Sequence, residues 1–292
     1  MGGLQILAST GPLFARPLDW AMGAIAEAGY DGVEVMVTQD PATQRGSRVE
    51  VAALREGVRI PVIHGPFLLL TRRVFGTNFI EKSRRSVALA SEVGANLVIV
   101  HPPYRWQSRF HDWLTEEAGG EADALSTRIG LENLFPVSVL GRPVRFHRYT
   151  HPEHLAEISN LVLDTSHFGV SGVDIVAAWD RLGGKAAHLH VSDNRGQGHD
   201  SHAPLGHGIL PLASFLAAVG RSSYTGAITL ELDCRRYLGD RSALVGYLRQ
   251  EREKCLALLG GAPAEEVLGR SDRATVASDV SDDDGMLPLD AR

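Results

Sequence analysis

The sequence predicts an α/β protein: a single closed (β/α)8 barrel over residues 1–260, followed by a disordered acidic tail over residues 261–292. Three observations predict it. Eight short apolar runs alternate with stretches of helical periodicity, and such alternation implies parallel strands joined by crossover helices. Eight units fill about 260 residues, close to the roughly 250 residues usual for a closed barrel. Run after run ends in a strongly polar residue, at the end where barrels of this kind carry their chemistry. An open doubly wound sheet is the competing architecture. It would carry a Gly-rich phosphate turn after the first strand, and STGPLF is a poor match to one.

The elements follow in order. LQILAST (4–10) is the first strand. PLDWAMGAIAEAG (17–29) spaces its apolar residues for a helix, and Gly29 stops it. DGVEVMV (31–37) is the second strand, and RVEVAALREG (48–57) is helical. IPVIHGPF (60–67) is the third strand. NFIEKSRRSVALASEVG (78–94) is a helix closed by Gly94, and ANLVIVHPP (95–103) is the fourth strand. WQSRFHDWLTEEA (106–118) is helical, and RIGLEN (128–133) is the fifth strand. Residues 135–158 read as an irregular excursion ending in a short helix. NLVLDTSH (160–167) is the sixth strand, followed by the helix VDIVAAWDRL (173–182). AAHLHVSD (186–193) is the seventh strand, PLASFLAAVG (211–220) a helix, GAITLELD (226–233) the eighth strand, and residues 241–260 a long final helix.

Composition narrows the function classes. At 44% hydrophobic the chain can bury a large core. Its net charge of −6 argues against a dedicated nucleic-acid surface. After residue 260 there are eight acids and three arginines, with an SDDDG run among small residues; this reads as a disordered tail. Two cysteines are too few for a disulfide framework, so a reducing cytoplasm is expected. No signal peptide is evident, and no apolar run reaches the ~18 residues of a membrane span.

The strand ends bear the candidate chemistry. The third strand ends in His64, the fourth in His101 and the fifth in Glu132. The sixth ends in Asp164, with His167 just beyond. The seventh carries His190 and Asp193, and the eighth Glu231. One such residue is unremarkable, but six consecutive strands sharing the pattern point to a common metal centre. Glu132, Asp164, His190 and Glu231 offer one nitrogen and three carboxylates, an oxygen-rich set that suits Mn²⁺ or Mg²⁺, with Zn²⁺ and Co²⁺ compatible. His64 and His101 would add nitrogen and favour zinc.

Residues 188–208, HLHVSDNRGQGHDSHAPLGHG, hold five histidines. His188 shares strand parity with His190, so it should line the interior one layer below the metal in a structural role. Asp193 is read as a partner that orients a ligand. His199 and His207 read as loop or substrate-contact residues. His111, His147, His151 and His154 read as solvated. Arg72 and Arg73 are candidates for a phosphate or carboxylate. Arg105, Trp106 and Arg195 are candidates for contact with a sugar-like ligand.

Taken together and in order, VIHGPF, VIVHPP, GLEN, LDTSH, HVSD and LELD resemble the xylose-isomerase-like TIM barrel superfamily over about residues 4–258. That superfamily includes sugar isomerases and epimerases and endonuclease IV. In the isomerase and epimerase branch the resemblance implies a divalent metal held by Glu132, Asp164, His190 and Glu231. The two glutamates there also act as the acid–base pair, and the cation stabilises an enediolate. In the endonuclease IV branch it implies three zinc ions that hydrolyse a phosphodiester. His64, His101 and Glu132 would hold one. Glu132, Asp164, His190 and Glu231 would hold the second. His167, Asp200 and His202 would hold the third.

Departures count against DNA repair. The endonuclease DNA-reading loops have no counterpart, His207 stands between two glycines where that branch has a glutamate, and the barrel has no basic surplus. The reading is therefore a cytoplasmic, metal-dependent isomerase or epimerase of a small sugar, polyol or related carbonyl compound. The alternative is a trinuclear zinc phosphodiesterase. The expected partner is a small molecule rather than nucleic acid or membrane. Homo-oligomers are common among such barrels.

Overall fold

A computed structural model of the chain describes residues 4–66, 73–140 and 142–269. Arg72 and residues 270–292, most of the stretch read as a tail, lie outside the described residues. In chain order the elements are β1 (Gln5–Ser9), α1 (Leu18–Glu27), β2 (Gly32–Met36), α2 (Gly46–Glu56), β3 (Val62–His64), α3 (Phe79–Val93), β4 (Leu97–Val100), α4 (Ser108–Glu116), α5 (Ala118–Asp123) and β5 (Arg128–Glu132). They continue with β6 (Val137–Val139), β7 (Arg142–Val144), α6 (Pro152–Leu155), β8 (Leu161–Asp164), α7 (Thr165–Val170), α8 (Ile175–Leu182), β9 (Ala186–Val191), α9 (Leu212–Arg221), β10 (Ala227–Leu230), α10 (Arg241–Leu259) and α11 (Ala264–Leu268).

Eight strands close a parallel barrel in the order β1-β10-β9-β8-β5-β4-β3-β2, which is the predicted fold. Closure is set by the pairing of β1 with β10, where Gln5 faces Ala227, and of β1 with β2, where Leu7 faces Gly32. The helices begin and end where local chemistry allows. Asn78 accepts from the amides of Ile80 and Glu81 to cap α3, and Gly94, at φ +73°, ends it in the left-handed conformation. Asp174 and Asp240 cap α8 and α10 in the same way.

Four elements differ from expectation. Helix α5 carries on past residue 118, where the helical stretch was expected to end, and α7 begins at Thr165, inside the run read as the sixth strand. The excursion at 135–158 holds an antiparallel hairpin, β6–β7, with Val137 opposite Val144. Its side chains are exposed or half-buried, so no buried face imposed a readable alternation. Beyond residue 260 the chain forms α11, whose Val267 and Leu268 pack against the core.

Strand side chains alternate between the helical layer and the interior. Ile6, Val33, Val35, Ile63, Val98 and Leu163 join the large core between barrel and helices. The interior at the strands' N-terminal end is filled by a separate cluster of Leu7, Val62, Leu97, Ile99 and Val162. Toward the C-terminal ends the interior becomes polar: Glu34, His188, Thr229, His64, Glu132, Asp164, His190 and Glu231 are all buried. Both cysteines are buried and free. Among the described residues no helix is long and apolar enough to cross a membrane.

Candidate metal centre

The buried polar layer is built around Glu132. Strand β5 delivers it into the interior, and its two oxygens face different partners. Oε1 lies 2.8 Å from His190 Nδ1. Oε2 lies 2.9 Å from His101 Nε2 and 3.5 Å from His64 Nε2. His64 Nδ1 is 2.8 Å from the Gly65 carbonyl, so Nδ1 carries a proton, and Nε2 is the nitrogen turned to the cavity, where it would present a lone pair once the ring is neutral. His190 Nδ1 also lies 3.4 Å from Glu231 Oε2 and 3.7 Å from Asp164 Oδ2.

Glu132, Asp164, His190 and Glu231 each contribute one ligand atom to a group whose members lie within 4.8 Å of one another. His64, His101 and Glu132 form a second such group, and Glu34, His64 and His190 a third. Asp164 Oδ1 accepts from the His167 amide at 2.7 Å, while its buried Oδ2 has no hydrogen-bond partner among the described residues. Burying several carboxylates together is unfavourable unless positive charge compensates them. The donor set, its spacing and the orphaned oxygen therefore fit a divalent cation.

Electrostatics within the layer are strongly coupled. Burial would raise the Glu132 carboxyl, but the charge of His190 and hydrogen bonds from His101, His190 and His64 hold it well below the usual carboxylate range. Asp164 has less support. Burial pushes it up to about 6; the charge of His167 opposes this, and nearby Asp200 and Glu132 add to it. Burial would lower His190, yet Glu34, Glu231 and Glu132 raise it well above an ordinary imidazole. His167 is raised in the same way by Asp164 and Asp200, so protonated imidazoles offset the buried carboxylates, and a cation would compete with the proton on His190.

The Asp-x-His arm lies alongside. Asp200 Oδ2 sits 2.8 Å from His202 Nε2 and 3.3 Å from His167 Nε2. Its Oδ1 accepts from Ser166 Oγ at 2.5 Å, and Asn194 donates to Ser166 in turn. His167 Nδ1 faces the Asn133 carbonyl at 2.7 Å. His167, Asp200 and His202 are thus brought together, but among the described residues they do not form a donor group as compact as the three above.

Other expectations need correction. Asp193 does not contact His190. Its carboxylate accepts from the amides of Gly206, Gly208 and Leu210 and so folds the loop after β9. A Cβ at Gly208 would collide with that carboxylate and with the Asn194 carbonyl, while Gly206 adopts φ +85°, which accounts for the two glycines of LGHG. His147 is buried, not solvated: it stacks on Tyr104 at 4.4 Å, with Nδ1 3.3 Å from the Pro103 carbonyl.

Arg105, Trp106 and Arg195 are exposed on the loops after β4 and β9. Trp106 stacks flat on Tyr104 at 4.8 Å. His199 and His207 are exposed.

Sequence reasoning missed Glu34. It lies on β2, fully buried, with Oε2 3.1 Å from His190 Nε2. The available signal was a charged residue set between Val33 and Val35 in a strand whose alternation points it inward.

The family model described as xylose isomerase-like TIM barrel matches residues 22–254, and the chain belongs to that family. It is 28% identical over 248 residues to uncharacterized protein ML2432 of Mycobacterium leprae, covering 78% of this chain and 89% of the relative. It is 24% identical over 265 residues to fructoselysine 3-epimerase of Shigella flexneri, covering 83% of this chain and 94% of that enzyme. Its fold is similar to that of the zinc-bound IOLI protein, with a TM-score of 0.67 at 16% identity, covering 87% of this chain and 98% of the other.

Proposed function

We propose that the protein is a divalent-metal-dependent epimerase or isomerase of a small sugar, polyol or related carbonyl compound. One observation carries the reading: Glu132, Asp164, His190 and Glu231 converge as a single buried donor group at the strands' C-terminal ends. The similarity to fructoselysine 3-epimerase supports the substrate class. Asp164 and His190 would anchor the cation, and Glu132 and Glu231 would complete its donor set. Three carboxylates and one imidazole suit Mn²⁺ or Mg²⁺, with Zn²⁺ and Co²⁺ compatible, and the neighbouring His64 and His101 favour Zn²⁺. Such a cation supplies positive charge to the oxygens of a carbonyl and its neighbouring hydroxyl as a carbon-bound proton leaves.

Proton movement falls to the chain's own carboxylates. Glu132 and Glu231 take the proton from the substrate carbon and return it. Burial of both side chains excludes bulk water, so electrostatic effects in the site are stronger than at a surface. The rim residues Arg105, Trp106 and Arg195, together with Arg72, are the proposed substrate contacts. The free, buried cysteines fit a reducing cytoplasm.

The test is solvent-deuterium incorporation into a panel of ketoses and their amine and phosphate derivatives. Exchange at one carbon that needs added Mn²⁺ or Zn²⁺, and is lost in both Glu132→Gln and Glu231→Gln, supports the reading. Exchange retained in both variants contradicts it. A second reading, a zinc phosphodiesterase, draws on the His64–His101–Glu132 group that shares Glu132 with the first. It predicts three bound zinc ions and cleavage at abasic sites.

A further inference from the structure

We infer that Glu34 is a positioning residue for the metal centre, holding His190 in the tautomer that turns Nδ1 toward the oxygens of Glu132, Asp164 and Glu231. The inference rests on the metal-binding reading above and assigns a role to a residue outside the four-residue donor group.

His190 has one ring nitrogen on each side of the polar layer. Nδ1 faces Glu132 Oε1 at 2.8 Å, and Nε2 faces Glu34 Oε2 at 3.1 Å. A metal-binding nitrogen must present a lone pair, so the ring proton must sit on the other nitrogen. Glu34 is placed to take that proton in a hydrogen bond. The carboxylate then fixes both ring orientation and tautomer, the usual relation between a ligating histidine and its outer partner.

Glu34 is itself held in place. Thr229 Oγ1 donates to its Oε2 at 2.8 Å. With its hydrogen committed there, Thr229 accepts from His188 Nε2, 2.8 Å away. His188 Nε2 also lies 3.2 Å from Glu34 Oε2. The result is a directed series from His188 through Thr229 to Glu34, which His190 joins from above. Strand register builds it: Thr229 pairs with His190 across β10 and β9, and His188 lies two residues before His190 on the same face. A buried carboxylate that only filled the core would be costly, and an apolar side chain of the same shape would serve as well or better.

Zinc affinity, measured by chelator competition on the full chain, tests the inference together with ¹⁵N spectra of the histidine rings in the zinc-loaded protein. In the parent chain His190 should show the Nε2–H tautomer. Glu34→Gln should bind zinc about ten- to a hundredfold more weakly, with the His190 ring no longer held in one tautomer. Thr229→Val should weaken binding by about threefold through loss of one hydrogen bond to Glu34.

The inference alone falls if Asp164→Asn loses zinc while Glu34→Gln keeps parental affinity and an unchanged His190 tautomer. If Glu34→Gln does not fold, Thr229→Val decides: unchanged affinity overturns the inference, and weakened affinity supports it. If the parent chain binds no zinc, or Asp164→Asn binds it equally well, the metal reading fails and the inference fails with it.

Discussion

The two ends of the barrel interior are built on opposite principles. At the N-terminal end of the strands, Leu7, Val62, Leu97, Ile99 and Val162 fill the space with apolar side chains. At the other end β2, β3, β5, β8 and β9, with the residue that follows β10, deliver Glu34, His64, Glu132, Asp164, His190 and Glu231, all buried. The first end needs no partner: its packing is complete and stabilises the closed sheet. The second buries several carboxylates together and calls for compensating charge, from the imidazoles among them or from a bound cation. The difference separates side chains that hold the barrel closed from those available for chemistry.

Substitutions should keep the two ends separate. The largest effect is expected at the polar end. Glu132→Gln and Glu231→Gln should each lower turnover by about a thousandfold, within the range for loss of an acid–base group, while circular dichroism stays unchanged. At the apolar end, Leu97→Ala should cost about 2–5 kcal/mol in denaturant unfolding and leave cation affinity unaltered. A Leu97→Ala chain with much weaker cation binding would show that the two ends are mechanically coupled.

Acid should sharpen the contrast through His147, which lies beneath the rim. Burial pushes its imidazole down to about 4, with the carbonyls of Pro103 and Pro102 opposing. The unfolded chain, titrating near 6.5, therefore binds more protons in the interval between. Stability from the neutral ring is full above about pH 6.5 and is lost as pH falls toward 4, by about 3 kcal/mol. Denaturant melts from pH 7 to 4 should show a shallower decline for His147→Gln than for the parent chain. Parallel curves would mean that His147 takes up its proton at the same pH in the folded and unfolded chains. The smallest effect is expected at the rim. Trp106→Ala, which removes an exposed ring stacked on Tyr104, should raise KM by about threefold to tenfold and leave kcat near parental.

The barrel was legible because each strand had to be apolar on its helix-facing side. Runs such as ANLVIVHPP and NLVLDTSH state that requirement directly. The strand-end acids and histidines were legible for the same reason, as polar residues placed where apolar runs stop. Glu34 was not, because GVEVM reads equally well as a strand with one solvated side chain until closure of the sheet makes that side the interior. The β6–β7 hairpin was missed because its side chains remain exposed or half-buried. Asp193 was misread because its partners are backbone amides up to seventeen residues away, which side-chain spacing does not encode. His147 could not be read as buried before the excursion was seen to return against Tyr104.

The most direct test is metal analysis of the chain purified in Mn²⁺ or Zn²⁺, beside Asp164→Asn treated identically. The account predicts one tightly bound divalent cation per parent chain, removed by chelator together with catalysed exchange, and none in Asp164→Asn. A parent chain that holds no cation, or an Asp164→Asn chain that holds it equally well, would contradict it.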